Sequence, residues 1–348
     1  MRIAVFLPNW VGDVVMATPA IHALRQRWPK AWIAAIVRPY VRDVLAGAPW
    51  FDAEIPFDKS LGSLWSVASR LRRERVETAI LFTNTFRSGL AAWLGRCRRR
   101  IGVVRYGRGR LLTDRVPPLA DSRGRRIPAP IIDVYNRLAE LAGAAPDRRL
   151  RLFTTEHDEA AAERVWRSAG WDSGDAVVCL NPGAAFGSAK YWSVESFANL
   201  AWRFASADRR VLVLCGPAER TMARQIAMQA GDPRVRSLAD GPLSLGLTKA
   251  CVRRSDLLVT TDSGPRHFAA AFDKPVVTLF GPTHIAWTET YHAKAQHIQK
   301  SVPCGPCQLR TCPLDHRCMT GITPEEVFAA AESLLHRYGR PREVRHAG

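Results

Sequence analysis

"SDLLVTTDSGPRHFAAAFDKPVVTLFGPT", residues 255–283, decides the fold. It opens with an apolar, β-branched run, 255–260. It turns through Asp262, Ser263 and Gly264, then takes helical spacing over 265–272. A second apolar run, 275–280, follows and stops at Gly281-Pro282-Thr283. Continuous short runs of this kind read as strands buried on both faces. Pro265 suits the first helical position, where an N–H has no partner in any case. Strand, turn, helix and strand in succession make one parallel βαβ unit.

The same alternation extends outward. Strand-like runs occupy 175–181 and 210–215, and helix-like segments 156–168, 193–205, 219–230 and 243–253. The first half repeats the scheme, with strand-like runs at 2–7, 31–37 and 78–83 and helical spacing at 19–28, 61–75 and 131–142. Residues 8–17 read as a loop with a short first turn, and Thr18-Pro19 as an N-cap and first helical residue. The stretch 102–130 has no period and reads as loop. The expected class is α/β, with two Rossmann-like doubly wound domains facing across a cleft. The expected boundaries are 1–155, 170–322 and a C-terminal helix with basic tail, 323–348. Ligands of open α/β sheets bind beyond the carboxyl ends of the strands, so the turns that follow strands are the places to look.

Length and composition agree. A chain of 348 residues exceeds one ordinary core, and 47% apolar with 24% charged residues is a soluble globular composition. No apolar run is long enough to span a bilayer. The apolar start is broken by Pro8, Asn9 and Asp13, unlike a secretory signal, so a cytoplasmic location is expected. The net charge is +18, and residues 1–150 carry 26 basic against 12 acidic side chains. Residues 85–126 hold twelve arginines and only Asp114 and Asp121 against them. Such a segment attracts nucleic acid, anionic lipid or a phosphorylated ligand; the plain alternative is a solvated face.

Several turns carry chemistry. Asp13 follows the first strand in "PNWVGDVVMATPAI", 8–21. It reads either as a helix N-cap or as a general base. "NPGAAFGSAKYW", 181–192, ends a strand at Gly183, and small residues lead to Lys190. Backbone amides in such a loop approach phosphate closely, and the lysine adds a point charge. It matches neither the Walker loop nor GxGxxG. Asp262, Ser263 and Gly264 lead into a helix whose N-terminus favours an anion, with His267 in its first turn. In "CGPAER", 215–220, Gly216 admits a close neighbour. Glu219 reads as a ribose ligand or as a first-turn acid. Finally, Cys304, Cys307, Cys312 and Cys318 are spaced x2, x4 and x5, with His316 among them. Four such thiols suit a closed structural zinc or iron site; four metal-free thiols are the alternative.

Together these segments resemble the lipopolysaccharide heptosyltransferases of glycosyltransferase family 9. The opening motif, 181–192, the stretch 259–283 and the cysteine-rich end, 304–327, match in order, and the Trp-Val-Gly-Asp form of the opening favours the heptosyltransferase II branch. The resemblance implies a GT-B fold and inverting, metal-independent transfer of L-glycero-D-manno-heptose. The donor is ADP-heptose and the acceptor the lipopolysaccharide inner core, of heptosyl-Kdo-lipid A type. It places the base on Asp13 and the phosphate-binding lysine on Lys190. It places the diphosphate turn on Asp262, Ser263 and Gly264, with His267 beside them, and a ribose contact on Glu219. It assigns no role to Pro265 or Arg266. Arg87, Arg100 and Arg105 are the expected acceptor contacts. The expected location is peripheral, at the cytoplasmic face of the inner membrane, with no nucleic-acid partner and no catalytic cofactor. A GT-B enzyme with another nucleotide-sugar or acceptor, or a non-catalytic anion-binding module, remains the alternative.

Overall fold

The computed structural model describes residues 1–125, 127–172 and 174–339; the basic tail from 340 and Arg126 of the arginine-rich segment lie outside them. The chain forms two units. The first is Met1–Phe153 with Ala286–Tyr291, and the second is Thr154–Ile285 with the chain from His292.

The first unit contains β1 (Arg2–Phe6), α1 (Val11–Met16), α2 (Thr18–Arg27), β2 (Trp32–Val37), β3 (Ala53–Pro56) and α3 (Leu61–Arg73). It continues with β4 (Thr78–Leu81), α4 (Phe86–Leu94), β5 (Arg99–Val103), β6 (Asp114–Val116) and α5 (Ile131–Leu141). Its six strands are parallel, in the order β3-β2-β1-β4-β5-β6. Leu64, Val67 and Leu71 of α3 and Ala91 and Ala92 of α4 pack on Phe6, Ile36 and Leu81 of the sheet. Tyr291, from the returning segment, donates its hydroxyl to Asp133 at 2.6 Å and lies under Arg148.

Thr18 is not the N-cap of α2. Ala17 holds that position in helical conformation, so α1 runs almost directly into α2. Pro19 has no N–H for the carbonyl four residues back, Val15. The Thr18 hydroxyl donates to that carbonyl instead, at 2.7 Å.

The second unit contains α6 (Glu156–Ala169), β7 (Val177–Asn181), α7 (Val194–Ser206), β8 (Arg210–Val213), α8 (Arg220–Ala230), β9 (Val235–Ser237) and α9 (Leu245–Arg254). Then come β10 (Leu257–Thr261), α10 (Gly264–Ala271), β11 (Val276–Phe280), β12 (Ala295–Gln299), α11 (Arg317–Thr320) and α12 (Pro324–Tyr338). The order β12-β11-β10-β7-β8-β9 repeats the first unit's topology, again all parallel. Helix α6 belongs here, because Arg254 of α9 pairs with Glu159 and Glu163 at 3.1 and 2.7 Å.

The long apolar strands and helices lie where the sequence puts them. Strands β3, β5, β6, β9 and β12 and helix α4 fall in stretches with no clear pattern. The segment 102–130 is not all loop: it holds the end of β5, a short 3-10 turn at Arg108–Leu111 and β6. The strands missed lie toward or at the sheet edges; β3, β6 and β9 have only three or four residues, and each carries a charged side chain.

Candidate functional site

In the second unit, connections leave β7 and β10 toward opposite edges of the sheet, which makes the gap between them the switch point. Asn181, the last residue of β7, bridges it. Its Nδ2 donates to the Thr260 hydroxyl at 3.0 Å, the Ser263 hydroxyl at 2.9 Å and the Gly183 carbonyl at 3.2 Å. The Thr261 hydroxyl donates to the same Gly183 carbonyl at 2.8 Å. The two expected motifs are thus tied together. The Ser263 side chain is used in this tie and does not cap α10. What the turn offers an anion is the helix N-terminus at Gly264.

Lys190 ends a short 3-10 turn and is 8% exposed. Its ammonium donates to the Asp262 carboxylate at 2.5 Å and to the Asp262 carbonyl at 2.9 Å, and lies over the Phe186 ring. Thr283, after β11, donates to the same carboxylate at 2.7 Å, and Arg266 stands 3.6 Å away. Burial opposes the charge on Asp262. The Lys190 and Arg266 cations, with hydrogen bonds from Lys190 and Thr283, outweigh it and hold the carboxyl at about 2. An ionised acid repels phosphate, so Asp262 serves the site by fixing Lys190. In this structure its carboxylate is engaged by Lys190 and Thr283. Arg266, assigned no role from sequence, is buried and keeps the group net cationic.

His267 is 2% exposed, and its Nδ1 has no hydrogen-bond partner. Burial first, and Arg266 second, drive its pKa well below the ordinary value, so the ring is neutral at physiological pH. It supplies no charge to a diphosphate.

Asp262 also gives a stability prediction. Its carboxyl is depressed in the folded chain, so its contribution is complete above about pH 4, the unfolded value, and is lost as pH falls through about 2. Urea unfolding between pH 5 and pH 2 checks this. Wild type loses stability across that window, and Asp262→Asn, weaker at neutral pH, lacks this part of the decline.

Gly183, Gly216 and Glu219 form one cluster. The Glu219 carboxylate accepts from the Gly216 amide at 2.6 Å and lies so close to both glycines that a Cβ at either would overlap it. The glycines accommodate the carboxylate as well as any ligand.

In the first unit, Asp13 is the third residue of α1, half-buried, and Trp10 holds the N-cap position. Its charge acts on two tyrosines. Burial raises the phenols of Tyr135 and Tyr40, and Asp13 raises them further, opposed at Tyr40 by the larger lowering effect of Arg38. Beyond the carboxyl ends of β1 to β4 lies a cavity lined in part by Asn9, Arg38, Lys59, Thr85 and Arg87. Of the three arginines expected to meet the acceptor, only Arg87 lines it. Arg100 is used within the fold, donating to the Leu111 and Cys97 carbonyls at 2.6 and 2.5 Å. Arg105 stacks on Tyr106.

The sequence reading missed Arg108, which is fully buried. It donates to the Val103 and Thr83 carbonyls at 2.9 and 2.5 Å and to Asn84 at 3.2 Å. It therefore shapes the turn after β4. Arg108→Ala is expected to cost about 3 kcal/mol, from a cavity and stranded carbonyls. Loss of less than about 1 kcal/mol in denaturant unfolding would contradict this account.

The four clustered thiols line one small cavity beside Ala189, Gly281 and His316. Among the described residues, no three His, Cys, Asp or Glu side chains are grouped as around a metal ion. Cys97, Cys179, Cys215 and Cys251 are buried free thiols; Cys179 lies in β7 and Cys251 in α9.

Two Rossmann-like units, with anion-directed turns at the switch point of the second, define a GT-B glycosyltransferase class of protein. The model of glycosyltransferase family 9 (heptosyltransferase) matches residues 64–317, and the chain belongs to that family. Lipooligosaccharide heptosyltransferase 2 of Campylobacter jejuni is 26% identical, over 96% of this chain and 98% of the relative. Lipopolysaccharide heptosyltransferase 2 of Salmonella typhimurium is 26% identical, over 97% and 100%. The solved structure of ADP-heptose LPS heptosyltransferase II from Escherichia coli is 25% identical, covers 97% of this chain and 99% of its own, and has a TM-score of 0.78. A family 9 glycosyltransferase from Veillonella parvula shares the fold at a TM-score of 0.82 and 23% identity, over 97% of each chain. The branch read from the opening motif agrees with these relatives.

Proposed function

We propose that the chain transfers L-glycero-D-manno-heptose from ADP-heptose to the lipopolysaccharide inner core, on an acceptor of heptosyl-Kdo-lipid A type, with inversion and without a catalytic metal. The observation that carries this is the cationic group of Lys190 and Arg266 beside the free N-terminus of α10, where a diphosphate would gather its charge. The names of the full-length relatives support the sugar and the acceptor.

Asp13 takes the proton from the acceptor hydroxyl. The oxygen attacks the anomeric carbon from the face opposite ADP, and the bond to the β-phosphate breaks as the new one forms. Lys190 and the Gly264 amide stabilise the growing phosphate charge. Ser263 and Asn181 hold the turn, and Glu219 would accept from a ribose hydroxyl. The acceptor's phosphate and acid groups meet Arg38, Lys59 and Arg87. The exposed Trp65 and Trp93 of the first unit, with its surplus of arginine, suit peripheral contact with an anionic inner-membrane surface. No helix among the described residues is long and apolar enough to cross a membrane.

Incubation with ADP-heptose and a core-truncated lipid A acceptor, read by mass, tests the reading. An increase of one heptose is expected. Transfer of a different sugar from a nucleotide-sugar panel, with none from ADP-heptose, would overturn the donor assignment. Arg87→Ala is expected to raise the acceptor KM about tenfold, the loss of one charge-assisted contact, with donor KM unchanged.

A structural zinc or iron belongs to the proposal. Cys304, Cys307, Cys312 and Cys318 would have to draw in from their present positions around the shared cavity to hold it, and an all-thiolate set suits either metal. It would tie the 304–318 segment together and take no part in transfer. About one equivalent per chain is expected in elemental analysis of protein purified under reducing conditions; a metal-free, fully folded protein would remove it.

A further inference from the structure

The segment carrying the four cysteines rests on the loop that carries Lys190. The Ala189 amide donates to the Arg310 carbonyl at 3.0 Å. The Ala189 carbonyl lies 2.7 Å from His316 Nε2. A carbonyl only accepts, so Nε2 bears the proton. Both polar backbone groups of the residue before Lys190 are therefore held by this one segment. Gly187 has φ +155°, and a Cβ there would overlap the Arg310 backbone, so the two segments touch directly. The Arg310 guanidinium also shares the Phe186 ring with Lys190, at 5.4 and 4.8 Å from the centroid.

We infer that His316 is a positioning residue for Lys190: its hydrogen bond to Ala189 sets where the ammonium stands and hence how tightly the nucleoside diphosphate is held. Asp262 fixes the side-chain end of Lys190 and His316 fixes its backbone end. Short, polar and exposed, the cysteine-bearing segment has little core of its own, and its contact with 187–189 gives it a place in the donor site. The inference rests on the reading of Lys190 as the diphosphate-facing cation.

Calorimetric titration of the full chain with ADP separates the two ideas. The proteins are wild type, Lys190→Ala, His316→Ala, His316→Gln and the double variant Lys190→Ala/His316→Ala. His316 has φ +59°, so the alanine and glutamine variants carry the same backbone strain and differ in the donor they offer. His316→Ala is expected to weaken ADP about tenfold, roughly one lost hydrogen bond, and to leave acceptor KM unchanged. His316→Gln, whose amide can still donate, recovers most of the affinity. The double variant is no weaker than Lys190→Ala alone, because His316 acts through Lys190. Wild-type affinity in His316→Ala beside weak binding in Lys190→Ala overturns the positioning role, and so does additive loss in the double variant. Wild-type affinity in Lys190→Ala instead overturns the parent reading.

Discussion

Asp13→Asn is expected to lower kcat by about 10²–10⁴-fold and to leave ADP affinity at the wild-type value. The amide has the shape of the carboxylate and cannot take the acceptor's proton, so the loss falls on the chemical step. The fold tolerates the change. Asp13 is half-buried on a short helix whose N-cap position is Trp10. A steady-state comparison at saturating donor, with thermal unfolding as the control for folding, reads the effect. Transfer within tenfold of wild type would end the assignment of Asp13 as base.

Lys190→Ala is the second large effect. It removes a buried cation and leaves Asp262 ionised, with Arg266 at 3.6 Å and Thr283 as partners. The site then turns a carboxylate toward a leaving diphosphate. We expect kcat to fall about 10²–10³-fold, the scale for losing one preorganised stabiliser of transition-state charge. ADP binding weakens as well. Adding Asp262→Asn to Lys190→Ala removes a negative charge left with only Arg266 and Thr283 to offset it and recovers about tenfold of ADP affinity, a partial rescue that a purely structural role for the pair does not give. Equal affinity in the single and double variants would show that the carboxylate does not face the anion.

The two effects separate by unit. Asp13 belongs to the first, and its variant is expected to change the acceptor's proton transfer; Lys190 belongs to the second, and its variant is expected to change the fate of ADP. Variants of the Arg38, Lys59 and Arg87 cavity add a third class, in which acceptor KM alone moves.

Much of this was legible in the order of residues. Runs such as 175–181 and 275–280, apolar at successive positions, have no stable place except between two layers of helix, and their alternation with helical spacing leaves the doubly wound class. Glycine and proline after strands marked Gly183, Gly216 and Gly264, and the motif order marked Lys190 and Asp262. The strands of few residues, β6 and β9, carry too little pattern to be read. Arg266, Arg38, Lys59 and Arg108 look like any surface cation until their burial or convergence is seen. Ser263 and Asp262 looked like anion ligands because a turn's sequence names its polar atoms without saying which are already engaged.

The sequence by itself determined the class of fold, the glycine and proline turns that follow the strands, and the family. Local periodicity and turn chemistry are properties of neighbouring residues, and they survive without the rest of the chain. Only the tertiary structure decided that Asn181 bridges β7 and β10, that Asp262 is a support for Lys190, that Arg100 is absorbed in the fold, and that His316 reaches Ala189. These are contacts between residues far apart in the chain. Which partner a buried charge or a backbone carbonyl finds is set by the packing of whole elements, and no short stretch of sequence encodes it.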